Sequence, residues 1–210
     1  TDNVTASAVH LSNKILVTNK HVVEDNISVQ VVDANGLALE AFVLPNGHSS
    51  DLVLLSIDGK NAKSINLLNL PKNLDNLRGV AYGVGRGKIR VFPEGDIISY
   101  PPENLKQARI HTTIRNLPGI SGGALINSFG ELVGILTAGS GLYNESVPIK
   151  ILNEVISATQ NSHKRFLERG KAFRLCSNLL LNVKQFTRKP PDVFLKKLRI
   201  NCDKANNKTF

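Results

Sequence analysis

A chain of 210 residues with 41% hydrophobic content can bury one sizeable core or two small ones. No apolar run approaches the roughly 18 to 20 consecutive residues a spanning helix needs, and Thr1-Asp2-Asn3-Val4-Thr5 lacks a basic-then-apolar signal pattern, which argues against a membrane span. The net charge of +9 is unevenly placed: residues 1–150 carry 13 Lys/Arg and 13 Asp/Glu, whereas residues 151–210 carry 13 and 4. Such a basic tail suits an anionic partner (nucleic acid, membrane or acidic protein), although the more ordinary reading is a solvated helix face.

Met is absent, position 1 included, which implies a chain processed or excised from something longer and favours an extracytoplasmic or secreted location. Four Asn-x-Ser/Thr sequons, at Asn3, Asn26, Asn144 and Asn207, do not decide the compartment in a chain this rich in Asn.

From about residue 4 to 150 short Val, Ile and Leu runs are broken every 8 to 12 residues by Asn, Gly, Asp or Pro, an all-β rhythm. It predicts six strands near 4–10, 14–18, 27–33, 37–44, 52–57 and 65–69. Six more follow near 79–84, 88–92, 96–100, 108–114, 123–127 and 132–138, with Val147–Lys150 closing the set. A connector at Pro71–Arg78 divides them into two antiparallel six-stranded barrels, about 4–70 and 78–150.

After Pro148 the period changes. Ile151, Leu152, Val155 and Ile156 recur at helical spacing, and a second helix is expected after Asn161-Ser162, with Phe166, Phe173 and Leu180, and Cys176 between them, as its packed stripe. Pro190-Pro191 ends that segment, and Asp192 is placed to cap a last helix holding Phe194, Leu195 and Leu198. The domain reading is therefore 1–153 for the β-rich part and 154–210 for a basic helical extension. Cys176 and Cys202 both lie in the extension, where they stand either free or paired in an oxidising compartment.

Acyl transfer by a serine needs a base to take its proton, a carboxylate to orient that base, and backbone donors for the oxyanion. The chain offers each in order: His21 as base, Asp51 as orienter and Ser121 as nucleophile, with the N–H groups of Gly119 and Ser121 facing the oxyanion. Gly119, Gly122 and Gly123 suit a turn whose backbone approaches substrate closely. Taken singly, a His before valines, an Asp before a strand and a Ser-Gly-Gly loop are ordinary structural features, and only their conjunction points to catalysis.

At these residues the sequence resembles the trypsin-like serine peptidases of chymotrypsin fold, and within them the HtrA/DegP-type branch. Thr18-Asn19-Lys20-His21-Val22-Val23, Asp51-Leu52-Val53-Leu54-Leu55-Ser56-Ile57 and Gly119-Ile120-Ser121-Gly122-Gly123-Ala124-Leu125 resemble its histidine, aspartate and serine boxes. Their separations of 30 and 70 residues are similar to that branch with shortened loops. Leu132-Val133-Gly134-Ile135 and Val147–Leu152 resemble its later strand and the start of its terminal helix.

The resemblance implies a serine endopeptidase acting on extended or unfolded polypeptide through an acyl-enzyme on Ser121. It implies substrate-strand addition along Thr137-Ala138-Gly139. Arg115 falls where the branch places the floor of its primary pocket: pointing inward it would favour an acidic substrate residue, and otherwise small or medium aliphatic residues are expected.

Three features depart from the branch. Ile120 replaces its Asn, Ala6-Ser7-Ala8 replaces its G-S-G, and a basic tail follows where its PDZ domain would. The alternative class is a catalytically weak, peptidase-like binding module whose tail binds an anionic partner. A processing peptidase that releases itself from a precursor is a further enzyme reading. Gly83-Val84-Gly85-Arg86-Gly87-Lys88 has no Ser or Thr after the Lys and reads as a hairpin connection rather than a phosphate loop. His48 lies in a Gly/Ser loop, and His10, His111 and His163 lack neighbours at ligand spacing, so neither metal nor cofactor is indicated.

Overall fold

The computed structural model describes residues 5–12, 14–57, 73–83, 88–100, 109–115, 117–137, 139, 143–183 and 190–206. They divide into two compact units, residues 1–158 and 159–210.

In the first unit, β1 (Val9–Ser12), β2 (Ile15–Thr18), β3 (Ser28–Val32), β4 (Ala38–Leu44) and β5 (Val53–Ile57) form one antiparallel sheet in the order β1-β2-β5-β4-β3. A one-turn helix, α1 (Lys20–Val23), follows β2. The second antiparallel sheet runs β7-β6-β10-β11-β12-β9-β8. Its strands are β6 (Arg78–Gly83), β7 (Lys88–Val91), β8 (Ile97–Ser99), β9 (Ile110–Thr112), β10 (Ala124–Ile126), β11 (Leu132–Leu136) and β12 (Asn144–Pro148).

The strand order departs from the six-plus-six expectation. The run read as a sixth strand, 65–69, lies outside the described residues, and β12 inserts between β11 and β9 to make the second sheet seven-stranded. No described pairing closes either sheet into a barrel. Strand β12 also ends at Pro148, so Ile149 and Lys150, expected in the closing strand, already belong to a helix. The pairing of Gly83 with Lys88 makes β6 and β7 a hairpin.

Strand β5 is buried on both faces, which accounts for its almost unbroken apolar run. Val53, Leu55 and Ile57 pack with Leu16, Val23 and Ala41 inside the first sheet. Leu54, with Leu52 and Val17, faces a second cluster holding Ala124, Ile135 and Val147 from the other sheet and Ile149, Leu152 and Val155 from the helix that follows. Each fully buried side chain of this kind contributes about 1.5–3 kcal/mol, so the three-way contact firmly holds the loops at the strand ends.

That helix, α2 (Ile149–Val183), is continuous through Asn161-Ser162, where a break was expected. Asn and Ser can begin helices, but neither removes a backbone N–H nor forces a turn, and 35 residues of continuous hydrogen bonding outweigh their weak propensity. After Pro190-Pro191 comes α3 (Asp192–Asn206), opened by a Leu195 N–H bond to the Pro191 carbonyl. A disulfide joins Cys176 to Cys202.

The packed stripe of α2 follows expectation at Cys176 but not at Phe173 and Leu180. Ala172, Cys176 and Leu179 are buried, while Phe173 and Leu180 are exposed; the side chain of Phe166 lies outside the described set. The disulfide turns Cys176 toward α3, and residues four before and three after share its face. The 173/180 positions fall on the flank.

Candidate active site

Asp51 stands one residue before the buried Leu52, at the mouth of β5, and His21 lies in α1 just after β2. Antiparallel pairing of Thr18 with Val53 brings these two ends together. His21 Nδ1 is 2.7 Å from Asp51 Oδ2, and the His21 backbone N–H donates to Asp51 Oδ1 at 3.0 Å. The Thr137 hydroxyl donates to Oδ2 at 3.2 Å. Both carboxylate oxygens are thus engaged, the half-exposed imidazole is oriented through Nδ1, and its Nε2 has no hydrogen-bond partner among the described residues.

The loop that carries Asp51 is itself secured. Asn19 Nδ2 donates to the Asp51 carbonyl at 3.0 Å, and Lys20 Nζ donates to the His48 carbonyl. Partial burial pulls the Lys20 ammonium below the usual lysine value, and the Asp51 carboxylate opposes that shift. His48 Nδ1 accepts the Ser50 N–H at 3.1 Å, which leaves the ring proton on Nε2, 3.1 Å from Glu154 Oε2 at the start of α2.

Ser121 is half-buried on a turn between Gly119 and Gly122, whose φ angles are +93° and +85°. Ser7 ties this turn to β2 and β6, with every polar group it has hydrogen-bonded. Its N–H donates to the Ser121 carbonyl at 2.8 Å and its hydroxyl to the Gly119 carbonyl at 2.6 Å. The same hydroxyl accepts the Tyr82 N–H at 2.7 Å, and the Ser7 carbonyl accepts the Thr18 hydroxyl at 2.8 Å. Gly122 N–H bonds the Leu136 carbonyl at 2.8 Å. The serine turn is therefore bound to the strand ends that lead to His21 and to Thr137.

Within the turn, Ile120 N–H bonds the Leu117 carbonyl at 3.1 Å and the Ile120 carbonyl accepts Gly123 N–H at 2.9 Å. The Gly119 and Ser121 N–H groups donate to no protein acceptor among the described residues. Nor does a hydrogen bond join Ser121 Oγ to the His21 ring. Ile120 is 3% exposed and packs with Ile114, Leu125 and Leu136, so the apolar replacement anchors the turn by burial rather than by charge.

Of the remaining sequence-predicted positions, Thr137 is buried, with its N–H on the Glu145 carbonyl and its hydroxyl on Asp51. Gly139 is half-buried, Ala138 lies outside the described residues, and Arg115 is exposed. Among the described residues no cluster of three His, Cys, Asp or Glu side chains is placed to hold a metal. The roles of Ser7, Thr18, Glu154 and the Thr137 hydroxyl are absent from the sequence reading; each acts on a partner far away in the chain, which leaves no local spacing to detect.

Residues 6–135 match the family described as trypsin-like peptidase domain, and the chain belongs to that family. Its two antiparallel sheets correspond to the chymotrypsin-like fold of HtrA-type proteases. It is 34% identical over 129 residues to the serine protease Do-like HtrA of Lactobacillus helveticus, a match covering 57% of this chain and 31% of that protein. It is 34% identical over 134 residues to a probable periplasmic serine endoprotease DegP-like of Buchnera aphidicola subsp. Schizaphis graminum, covering 58% and 27%. The solved structure of the HtrA-type protease AlgW with a decapeptide superposes with a TM-score of 0.62 at 27% identity, over 74% of this chain and 51% of that one. The chain thus spans about a third or less of the length of these two curated relatives.

Proposed function

We propose that residues 1–153 form a serine endopeptidase domain that cleaves extended or unfolded polypeptides through an acyl-enzyme on Ser121. His21 takes the Ser121 proton and returns it to the leaving amine. Asp51 holds the imidazole through Nδ1 and stabilises it when charged. The unused N–H groups of Gly119 and Ser121 bind the oxyanion. The observation that carries this reading is the 2.7 Å His21–Asp51 bond, which leaves the opposite ring nitrogen for Ser121. The Ser121 to His21 bond then forms as substrate closes the site, as is common when free-enzyme contacts tighten on binding.

Substrate recognition runs by strand addition along Thr137, Ala138 and Gly139, at the end of β11 beside the Asp51 carboxylate that the Thr137 hydroxyl contacts. An exposed Arg115 supports small or medium aliphatic residues at the cleavage position over acidic ones. The periplasmic naming of the Buchnera relative and the Cys176–Cys202 disulfide support an extracytoplasmic setting. Residues 154–210 form a basic extension to this domain. The reading is tested by hydrolysis of an unfolded protein substrate: the wild type cleaves it, Ser121→Ala does not, and equal rates for the two would overturn the assignment.

A further inference from the structure

Residues 159–210 carry thirteen Lys/Arg against three Asp/Glu, a net +10. Their arrangement on α3 is more informative than their number. At 100° per residue, Val193, Lys197, Ile200 and Lys204 fall within an arc of about 60°. This face lies opposite Phe194, Leu198 and Cys202, which are half-buried. Val193 is 81% exposed and Ile200 46%. The described ion pairs engage Arg199 with Asp203, at 3.8 Å, and none of Lys196, Lys197 or Lys204.

Helix α2 shows the same combination in this unit. Phe173 and Leu181 are each 63% exposed and Leu180 51%, with exposed Lys171 and Arg174 beside them. Large apolar side chains held in water amid unpaired cations are costly for a surface whose only contact is solvent.

We propose that this unit docks on an anionic bilayer surface. Val193 and Ile200 on α3 enter the acyl boundary, while the lysine ammonium groups stay level with the lipid phosphates. The lysines flanking the apolar pair gain from the negative surface potential of such a leaflet. A nucleic acid would reward the cations but offers little to exposed Val and Ile. A second copy of the same face would meet like charge. Among the described residues no helix is long and apolar enough to cross a membrane, so the contact is with the surface. The proposal is independent of the peptidase reading, because none of its residues belongs to the Ser121 site.

The test is co-flotation of the full chain with vesicles of phosphatidylglycerol in phosphatidylcholine, against phosphatidylcholine alone. The chain is expected to float only with the anionic vesicles, and less as salt rises. The double variant Val193→Asp with Ile200→Asp, and separately Lys197→Glu with Lys204→Glu, should each lower partitioning about tenfold or more. An intact Cys176–Cys202 bond and unchanged circular dichroism report that each variant is folded. Absence of flotation, or full flotation of the folded Val193/Ile200 variant, would overturn the proposal. So would tighter binding to a single-stranded RNA oligomer than to vesicles, or self-association abolished by the same substitutions.

Discussion

Replacing Gly122 by Ala tests whether the Ser121 turn is held in the conformation described. The φ of +85° is one an L-residue adopts at a cost of about 1–2 kcal/mol. The new Cβ would also overlap Ser7 O and Thr18 Oγ1, closer than real Cβ atoms approach. The first is a backbone atom and the second belongs to a short, buried side chain, so relief requires breaking the Thr18–Ser7 hydrogen bond, a further loss of about 1–3 kcal/mol. The sum, about 2–5 kcal/mol, corresponds to a fall in Tm of about 4–20 °C for a unit of this size. Gly130→Ala is the control: its φ is +76° but nothing lies within 4 Å of the added carbon, so only the conformational cost applies. Scanning calorimetry should therefore rank wild type above Gly130→Ala above Gly122→Ala. Fluorophosphonate labelling of Ser121 should slow sharply in Gly122→Ala and stay at the wild-type rate in Gly130→Ala. Equal Tm values and equal labelling rates for the two variants would show that the turn is not held in this way.

Asp51→Asn keeps the shape of the orienting group but removes the charge that stabilises His21, and should lower the hydrolysis rate on the order of 10³–10⁴-fold with little change in Tm. Joint substitution of Cys176 and Cys202 by Ser releases a loop of 26 residues and should cost unit 2 about 3.5 kcal/mol, seen as lower hydrogen-exchange protection in 171–183 and 192–206 with 5–57 unaffected. Asp33 accepts backbone N–H bonds from Leu37 and Asn35, which hold its carboxyl below the ordinary value. Its native proton affinity being depressed, the turn it supports is fully stabilised above the ordinary Asp value and loses that support as pH falls through the lower native one. Melting curves across acidic pH should show a smaller acid-induced drop in Asp33→Asn.

Residues contiguous in the chain were legible from sequence. His21, Asp51 and Ser121 each lie in a box whose strand or turn is coded locally, and the short apolar runs broken every 8 to 12 residues overlap every described strand. What was not legible depends on distant partners. Ser7 bonds Gly119 across 112 positions, and nothing in Ala6-Ser7-Ala8 announces it. Ile120 looked like a gap in the serine box, yet its side chain fills the core beneath the turn. In α2, the stripes 172/176/179 and 173/180 are both apolar at helical spacing, and only the partner Cys202 decides which faces inward. Asn161-Ser162 carried the chemistry of a helix start without the proline or loop that would impose one.

The central claim is that Ser121 is an activated nucleophile served by His21 and two free backbone donors. Intact mass after exposure to a fluorophosphonate tests it whatever the natural substrate is. A single adduct on the wild type, absent from Ser121→Ala and suppressed in His21→Ala, is the predicted result. No adduct on the wild type, or one that persists in Ser121→Ala, would contradict it.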